Sequence, residues 1–232
     1  MRTLSAIVLT LGLTVQAVPQ GTRHVDVLAA LREALGGEAR LSSIRTFVAK
    51  GVITRGTEKS ASYGTFEIAC ELPSKFVQSW AVTLLSSTGG RSIDRGVLGF
   101  NEQGLIYQAN DAVSGLPRLI TAEEARNLLR RAQRDFVKFT LPMFASSFPG
   151  APVTFADMKD LRWVITATGS GVTRALTVDS TRHLTIRFGN DLYSDYRSED
   201  GWNVPHTIRS SGETWEIKTL LVNVAIPAKT FR

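Results

Sequence analysis

From Ile44 onward the chain breaks into short stretches of alternating hydrophobicity separated by turn-forming residues, and this pattern constrains the fold more than any other feature. Successive side chains of a strand point to opposite faces, so a period of two marks a sheet with one covered side. Phe47, Ala49 and Ile53 fall on one side of the first stretch, with Lys50 and Thr54 on the other. The same reading predicts strands over 63–72, 75–85, 92–100 and 104–109, then 161–168, 172–178, 183–189, 192–198, 203–210 and 213–224. Asp157-Met158-Lys159-Asp160, Gly169-Ser170-Gly171, Asp179-Ser180-Thr181, Glu199-Asp200-Gly201 and Ser210-Ser211-Gly212 are the expected turns. Regular short strands of this kind predict an antiparallel meander curling into a barrel or half-barrel.

Two helices interrupt the strands. Val25, Leu28, Leu31, Ala34 and Leu35 recur at helical spacing, Gly36-Gly37 supplies a stop, and a short second turn covers Glu38 to Ser43. Near the middle, Thr121-Ala122-Glu123-Glu124 has the form of a capping box. Leu128, Leu129, Ala132 and Phe136 make an apolar stripe, and Arg126, Arg130 and Arg134 line another face. That arginine stripe reads first as a solvated helix face, and second as a contact for phosphate groups or an acidic partner. The following stretch, 141–150, is apolar yet interrupted by prolines and glycine, which predicts an irregular segment that packs under something or edges a pocket. The fold class is thus α+β, mainly β, with an N-terminal helix and a central helix.

Arg2, the apolar run Leu4 to Val15 and the small residues of Val15-Gln16-Ala17 have the form of a cleavable export signal, with cutting after Ala17. The run is too short to span a bilayer, which needs about 20 residues. The expected organisation is therefore a leader over 1–17 and one exported domain over 18–232. The formal charge of +6 becomes +5 when Arg2 leaves, a balance suited to an anionic membrane surface or an acidic protein partner. Without a dense Lys/Arg tract, nucleic acid is not an expected partner. A monomer is expected.

The sequence carries no nucleophile elbow, phosphate-binding loop or paired metal-ligating histidines. No cofactor, metal or catalytic residue is assigned. Gly169-Ser170-Gly171 reads as a hairpin turn, and Asp191, Asp195, Glu199 and Asp200 read as solvated turns rather than a calcium loop. His206, after Pro205 in a strand, is the candidate general base of a hydrolase and reads first as a partly exposed strand residue. Cys70, the only cysteine, shares an apolar strand face with Phe66, Ile68 and Leu72 and is expected to be a buried hydrophobe.

Trp80, Val82 and Leu84 share one strand face, as do Trp163 with Ile165, Trp215 with Ile217 and Leu221, and Phe66 with Ile68. Such faces either fill a core or line a cavity for an acyl chain. Phe136, Met143 and Phe144, on the helix and the segment after it, are the matching residues of the cover. Burying a chain of about 14 methylenes is worth on the order of 11 kcal/mol, so a lipid crossing water needs such shelter.

Several segments resemble the LolA-like family of periplasmic outer-membrane lipoprotein-sorting proteins. They are Ala30-Leu31-Arg32-Glu33-Ala34-Leu35-Gly36-Gly37 with Leu41, Ile44 and Gly51, then Glu71-Leu72-Pro73-Ser74-Lys75-Phe76. Leu176-Thr177-Val178-Asp179, Tyr196 through Pro205 (with Asp200-Gly201 at its turn), and Val222 through Phe231 follow in the family's order. The resemblance implies an unclosed antiparallel barrel with helices as a lid, holding lipoprotein acyl chains or another lipid without covalent chemistry. Phe66, Ile68, Trp80, Val82, Leu84, Phe136, Met143, Phe144, Trp163, Ile165, Trp215 and Ile217 are then the expected ligand-binding residues. The alternative is an envelope sensor or protein-interaction module on the same fold, receiving its partner on the concave sheet or the arginine stripe.

Overall fold

A computed structural model describes residues 20–56, 60–85, 89–110, 116–144, 153–159, 162–169 and 172–232. The proposed leader lies outside them, as do residues 145–150 and Ser170-Gly171.

The described chain opens with α1 (Gln20–Leu35) and α2 (Glu38–Ser42), followed by β1 (Thr46–Arg55), β2 (Ser62–Glu71), β3 (Lys75–Leu85), β4 (Arg91–Asn101) and β5 (Gly104–Ala109). The long helix α3 (Ala122–Phe144) leads into β6 (Val153–Lys159), β7 (Arg162–Gly169), β8 (Val172–Asp179), β9 (Thr185–Phe188), β10 (Asp191–Glu199), β11 (Trp202–Ser210) and β12 (Glu213–Val222). Among the described residues all twelve strands form one sheet in the order β5-β4-β3-β2-β1-β12-β11-β10-β9-β8-β7-β6. Each named pair is antiparallel, and β5 and β6 form two edges that do not meet. The fold is α+β and mainly β, an antiparallel sheet as the period-two pattern predicted and open as the resemblance implied.

This order gives α3 its place. The helix joins β5 at one edge to β6 at the other, and at 1.5 Å per residue its 23 residues span about 35 Å. It therefore lies across the concave face from edge to edge. Its apolar side sets Phe136, Phe139, Leu141 and Met143 into one cluster with Phe47, Ile53, Phe66, Ile68, Phe76, Val82, Trp215 and Ile217. Leu31 and Leu35 of α1 join the same cluster. Thr121 begins α3 as its capping box requires: its Oγ1 accepts the Glu124 amide at 3.2 Å, and Glu124 Oε2 accepts the Thr121 amide at 2.9 Å.

Four expectations change. The segment from Leu141 is helical through Phe144, although Pro142 sits inside the helix. Proline removes the amide that would bond the carbonyl four residues earlier. That carbonyl belongs to Lys138, and it accepts the Tyr193 hydroxyl at 2.9 Å instead, so the last turn survives. Asp157 to Lys159, expected as a turn, belong to β6. This edge strand is bulged between Phe155 and Asp157, and edges tolerate charge and bulges that central strands do not. The strand predicted from His183 begins at Thr185: His183 has a positive φ of 56° and closes a turn on Asp179 through amide contacts. The last strand ends at Val222, not 224.

Gly36 ends α1 at φ +135°, and a Cβ there would meet the Gly201 carbonyl oxygen at 2.8 Å. The glycine lets the helix end press on the β10–β11 turn, where Arg40 donates to the same oxygen at 2.9 Å.

Candidate functional site

The structure brings most of the expected lining residues together. Phe66, Ile68, Val82, Phe136, Met143, Trp215 and Ile217 are buried in one cluster, and Trp80 packs against it. Phe66 stands edge-on to Trp215 at 4.9 Å, Phe139 meets Trp215 at 5.7 Å, and Phe136 meets Phe76 and Phe100 at 6.0 and 5.6 Å. Here α3 occupies the interior of the half-barrel. Leu84 stands apart near the rim, 37% exposed. Trp163 and Ile165 are paired through the backbone with Val178 and Leu176; their side chains and that of Phe144 lie outside the described residues.

Above the apolar interior, at the end of the sheet where β1 finishes and β12 begins, runs a polar seam. Gln78 alternates in phase with Phe76, Trp80 and Val82 and so faces inward. Asp94, Arg55, Glu213 and Asp191 hold the corresponding inward positions near the same end of their strands. Arg55 bonds Asp94 at 2.5 Å and Glu213 at 2.9 Å, Trp80 Nε1 donates to Asp94 at 3.0 Å, and the Arg55 guanidinium lies 5.8 Å over the Trp80 ring. A Cβ on Gly96 would collide with the Trp80 indole at 2.3 Å, so this glycine makes the space in which the ring lies.

Two clefts open between this seam and α3. One, of about 410 Å³, is lined by Gln78, Arg131, Asp135, Lys138, Asp191 and Trp215 among others. The second, of about 580 Å³, lies beside Trp80, Leu98, Tyr107, Leu128 and Arg118. Both are lined in part by Arg131 and Glu213, so they are neighbours along the helix.

Two charges of α3 beside these clefts, Lys138 and Asp135, are largely desolvated, whereas Arg131 and Arg134 are half-exposed. Lys138 is 6% exposed, with its ammonium 5.1 Å from the Trp215 ring centre and 2.5 Å from Ser210 Oγ, which donates to Asp191 at 2.6 Å. Burial lowers the Lys138 pKa, opposed by Asp191 and Asp135. Burial also pushes the Asp135 carboxyl up, opposed by Lys138, Arg131, Arg134 and the Gln78 amide at 3.1 Å.

His206 is buried, 1% exposed, not the partly exposed strand residue expected. Its Nδ1 lies 2.8 Å from the Ile217 carbonyl, and its Nε2 is 3.0 Å from Glu199 Oε1 without hydrogen-bond alignment. It lines neither of the two clefts described along α3. Cys70 is buried as expected, and burial pushes its thiol pKa up. Asp191 departs from the solvated acidic group expected and belongs to the seam. Of the arginine stripe, Arg126 and Arg130 are exposed, whereas Arg134 joins Arg131 at the cleft. Arg55, Gln78, Asp94, Arg131, Asp135, Lys138 and Glu213 were not singled out in the sequence. Their signal was polar residues in phase with apolar ones.

These features define a class: an open antiparallel half-barrel whose concavity is occupied by its own helix. No family model matches the chain, and no curated protein matches it. Among solved structures, a DUF1329 family protein from Desulfovibrio piger is similar, with a TM-score of 0.55 and 9% identity over 90% of this chain and 97% of that one. A LolA superfamily protein from Nitrosomonas europaea gives 0.47 and 11%, covering 93% and 98%. A putative outer membrane lipoprotein-sorting protein domain from Vibrio parahaemolyticus gives 0.43 and 9%, covering 90% and 96%. The likeness to the Desulfovibrio piger protein is one of fold: an unclosed antiparallel sheet crossed by a helix.

Proposed function

We propose that the protein is an exported carrier or binder of a lipidic ligand, lipoprotein acyl chains or another lipid, held without covalent chemistry. The supporting observation is that the concavity is filled by an element that takes no part in the sheet. Lifting α3 breaks no strand pairing, because all twelve strands are linked to one another without it. Its polar ties to the strands include Gln78–Asp135, Lys138–Ser210 and Tyr193–Lys138. The surface it would uncover holds Phe66, Val82, Trp215 and Ile217. An acyl chain entering there replaces one apolar filling by another. In this reading residues 1–17 are the leader, 18–232 the working domain and the periplasm its compartment. Among the described residues no helix is long and apolar enough to cross a membrane.

The test is gentle purification followed by mass spectrometry of organic-soluble material, with binding of a diacylated peptide and a monoacylglycerol measured in parallel. A co-purifying lipid or saturable binding of either probe supports the reading. Absence of both sinks it.

A further inference from the structure

The cleft beside Lys138 has more hydrogen-bond donors than its own acceptors engage. Each of its carboxylates already accepts a hydrogen bond: Asp191 from Ser210 at 2.6 Å, Glu213 from Arg55 at 2.9 Å, and Asp135 from Gln78 at 3.1 Å. The cations are less well supplied. Among the described residues Arg131 and Arg134 make no hydrogen bond and share a single carboxylate, Asp135, at 3.7 and 3.8 Å. The Lys138 ammonium has three donors, of which one goes to Ser210. Its Asp191 contact is 3.9 Å, beyond hydrogen-bond length. Gln78, 2% exposed, leaves its Oε1 buried without a partner in the same cleft.

Taking an ammonium out of water is costly unless hydrogen bonds replace those it loses. The unengaged donors of Arg131, Arg134 and Lys138, which line one cleft, are matched by a ligand that brings oxyanion oxygens. Guanidinium and ammonium groups bind such oxygens through short charge-assisted bonds.

We propose that this cleft is the headgroup site for an anionic amphiphile, whose phosphate or carboxylate is bound by Arg131, Arg134 and Lys138. This inference rests on the lipid-carrier reading and specifies it: the chain enters under α3 while the charged head stays at the seam.

The test measures binding to the full chain of three probes below their aggregation concentrations: an oleoyl lysophosphatidic acid, the monoacylglycerol with the same chain, and inorganic phosphate. The wild type is expected to prefer the lysophosphatidic acid by at least about tenfold. The double variant R131Q/R134Q, altered at two half-exposed side chains, should reduce that preference to about threefold or less. K138M should act in the same direction if it folds. R126Q/R130Q, on the same helix but away from the cleft, should leave the preference unchanged.

Equal affinity for the two lipids, or an undiminished preference in R131Q/R134Q, overturns the headgroup site while leaving the carrier reading intact. Phosphate binding that R131Q/R134Q abolishes, with no affinity gained from the acyl chain, supports the anion site and removes the carrier reading. No binding of any probe overturns the site.

Discussion

Replacing Phe139 by alanine tests whether α3 is seated on the sheet by its apolar side. The ring is fully buried, meets Trp215 edge-on at 5.7 Å and lies 5.6 Å from the Lys138 ammonium. Phe→Ala in a core costs about 3–5 kcal/mol, through lost transfer energy and the cavity left behind. The aromatic pair adds about 0.5–1.5 kcal/mol beyond area burial, which places F139A near the upper half of that range, at about 4 kcal/mol. For a chain of this size each kcal/mol moves the melting temperature by about 2–4 °C, so F139A should melt about 8–16 °C lower. Urea unfolding followed by tryptophan fluorescence should show the midpoint shift with the slope unchanged. A loss under about 1.5 kcal/mol would refute the seating of α3, because it would mean that the site is not packed as described.

Thr121→Ala removes one half of the capping box on α3 and should cost about 1 kcal/mol in the same urea titration. Gly36→Ala, at φ +135° with an oxygen 2.8 Å from the new Cβ, should cost more than an exposed helix-end substitution, at least about 1 kcal/mol. Asp135 predicts a pH effect of definite sign. Burial raises its pKa in the fold, so the folded state holds its proton more tightly, and wild-type stability from this group declines as pH rises through the folded value. The stability of D135N relative to wild type should accordingly increase from pH about 4 upward, as read by urea midpoints across that range; a flat difference would contradict the assignment.

The strand order was not legible in the sequence, though the strands themselves largely were. Period-two runs mark residues that face the core, and Phe47, Ala49, Ile53, Phe66 and Ile68 are all buried as that period required. The miss at β6 came from giving Asp157 and Lys159 a turn, when charge on a bulged edge strand serves the same chain. The miss at Pro142 came from a partner 51 residues away: only the fold shows that Tyr193 satisfies the freed Lys138 carbonyl. The candidate site was half legible. Its apolar residues follow from periodicity, whereas its seam is built from polar residues in apolar phase. Asp94, Arg55 and Glu213 look like isolated exceptions until the register places them at one end of the sheet, and Gln78 until its bond to Asp135 ties it to α3.

The same geometry makes Cys70 a reporter of whether α3 lifts. Cys70 pairs in the ladder with Phe76, whose ring lies under Phe136 of α3 at 6.0 Å. The thiol is fully buried and its pKa is pushed up by that burial, so a thiol reagent reacts only with opened molecules. An acyl chain of about 14 methylenes offers on the order of 11 kcal/mol of burial, and three large side chains such as Phe136, Phe139 and Met143 offer about 5–9 kcal/mol. The exchange is close enough to balance for a lifted state to exist below the free energy of global unfolding, as local openings do. Cys70 labelling should then show a component insensitive to low urea, because lifting α3 exposes little surface compared with full unfolding. F139A should speed that component, since it loosens the helix that covers the cluster. If the labelling rate instead follows urea with the full unfolding slope at every concentration, the thiol is reached only through global unfolding. The helix would then be a fixed part of the core, and the carrier reading would lose its route of entry.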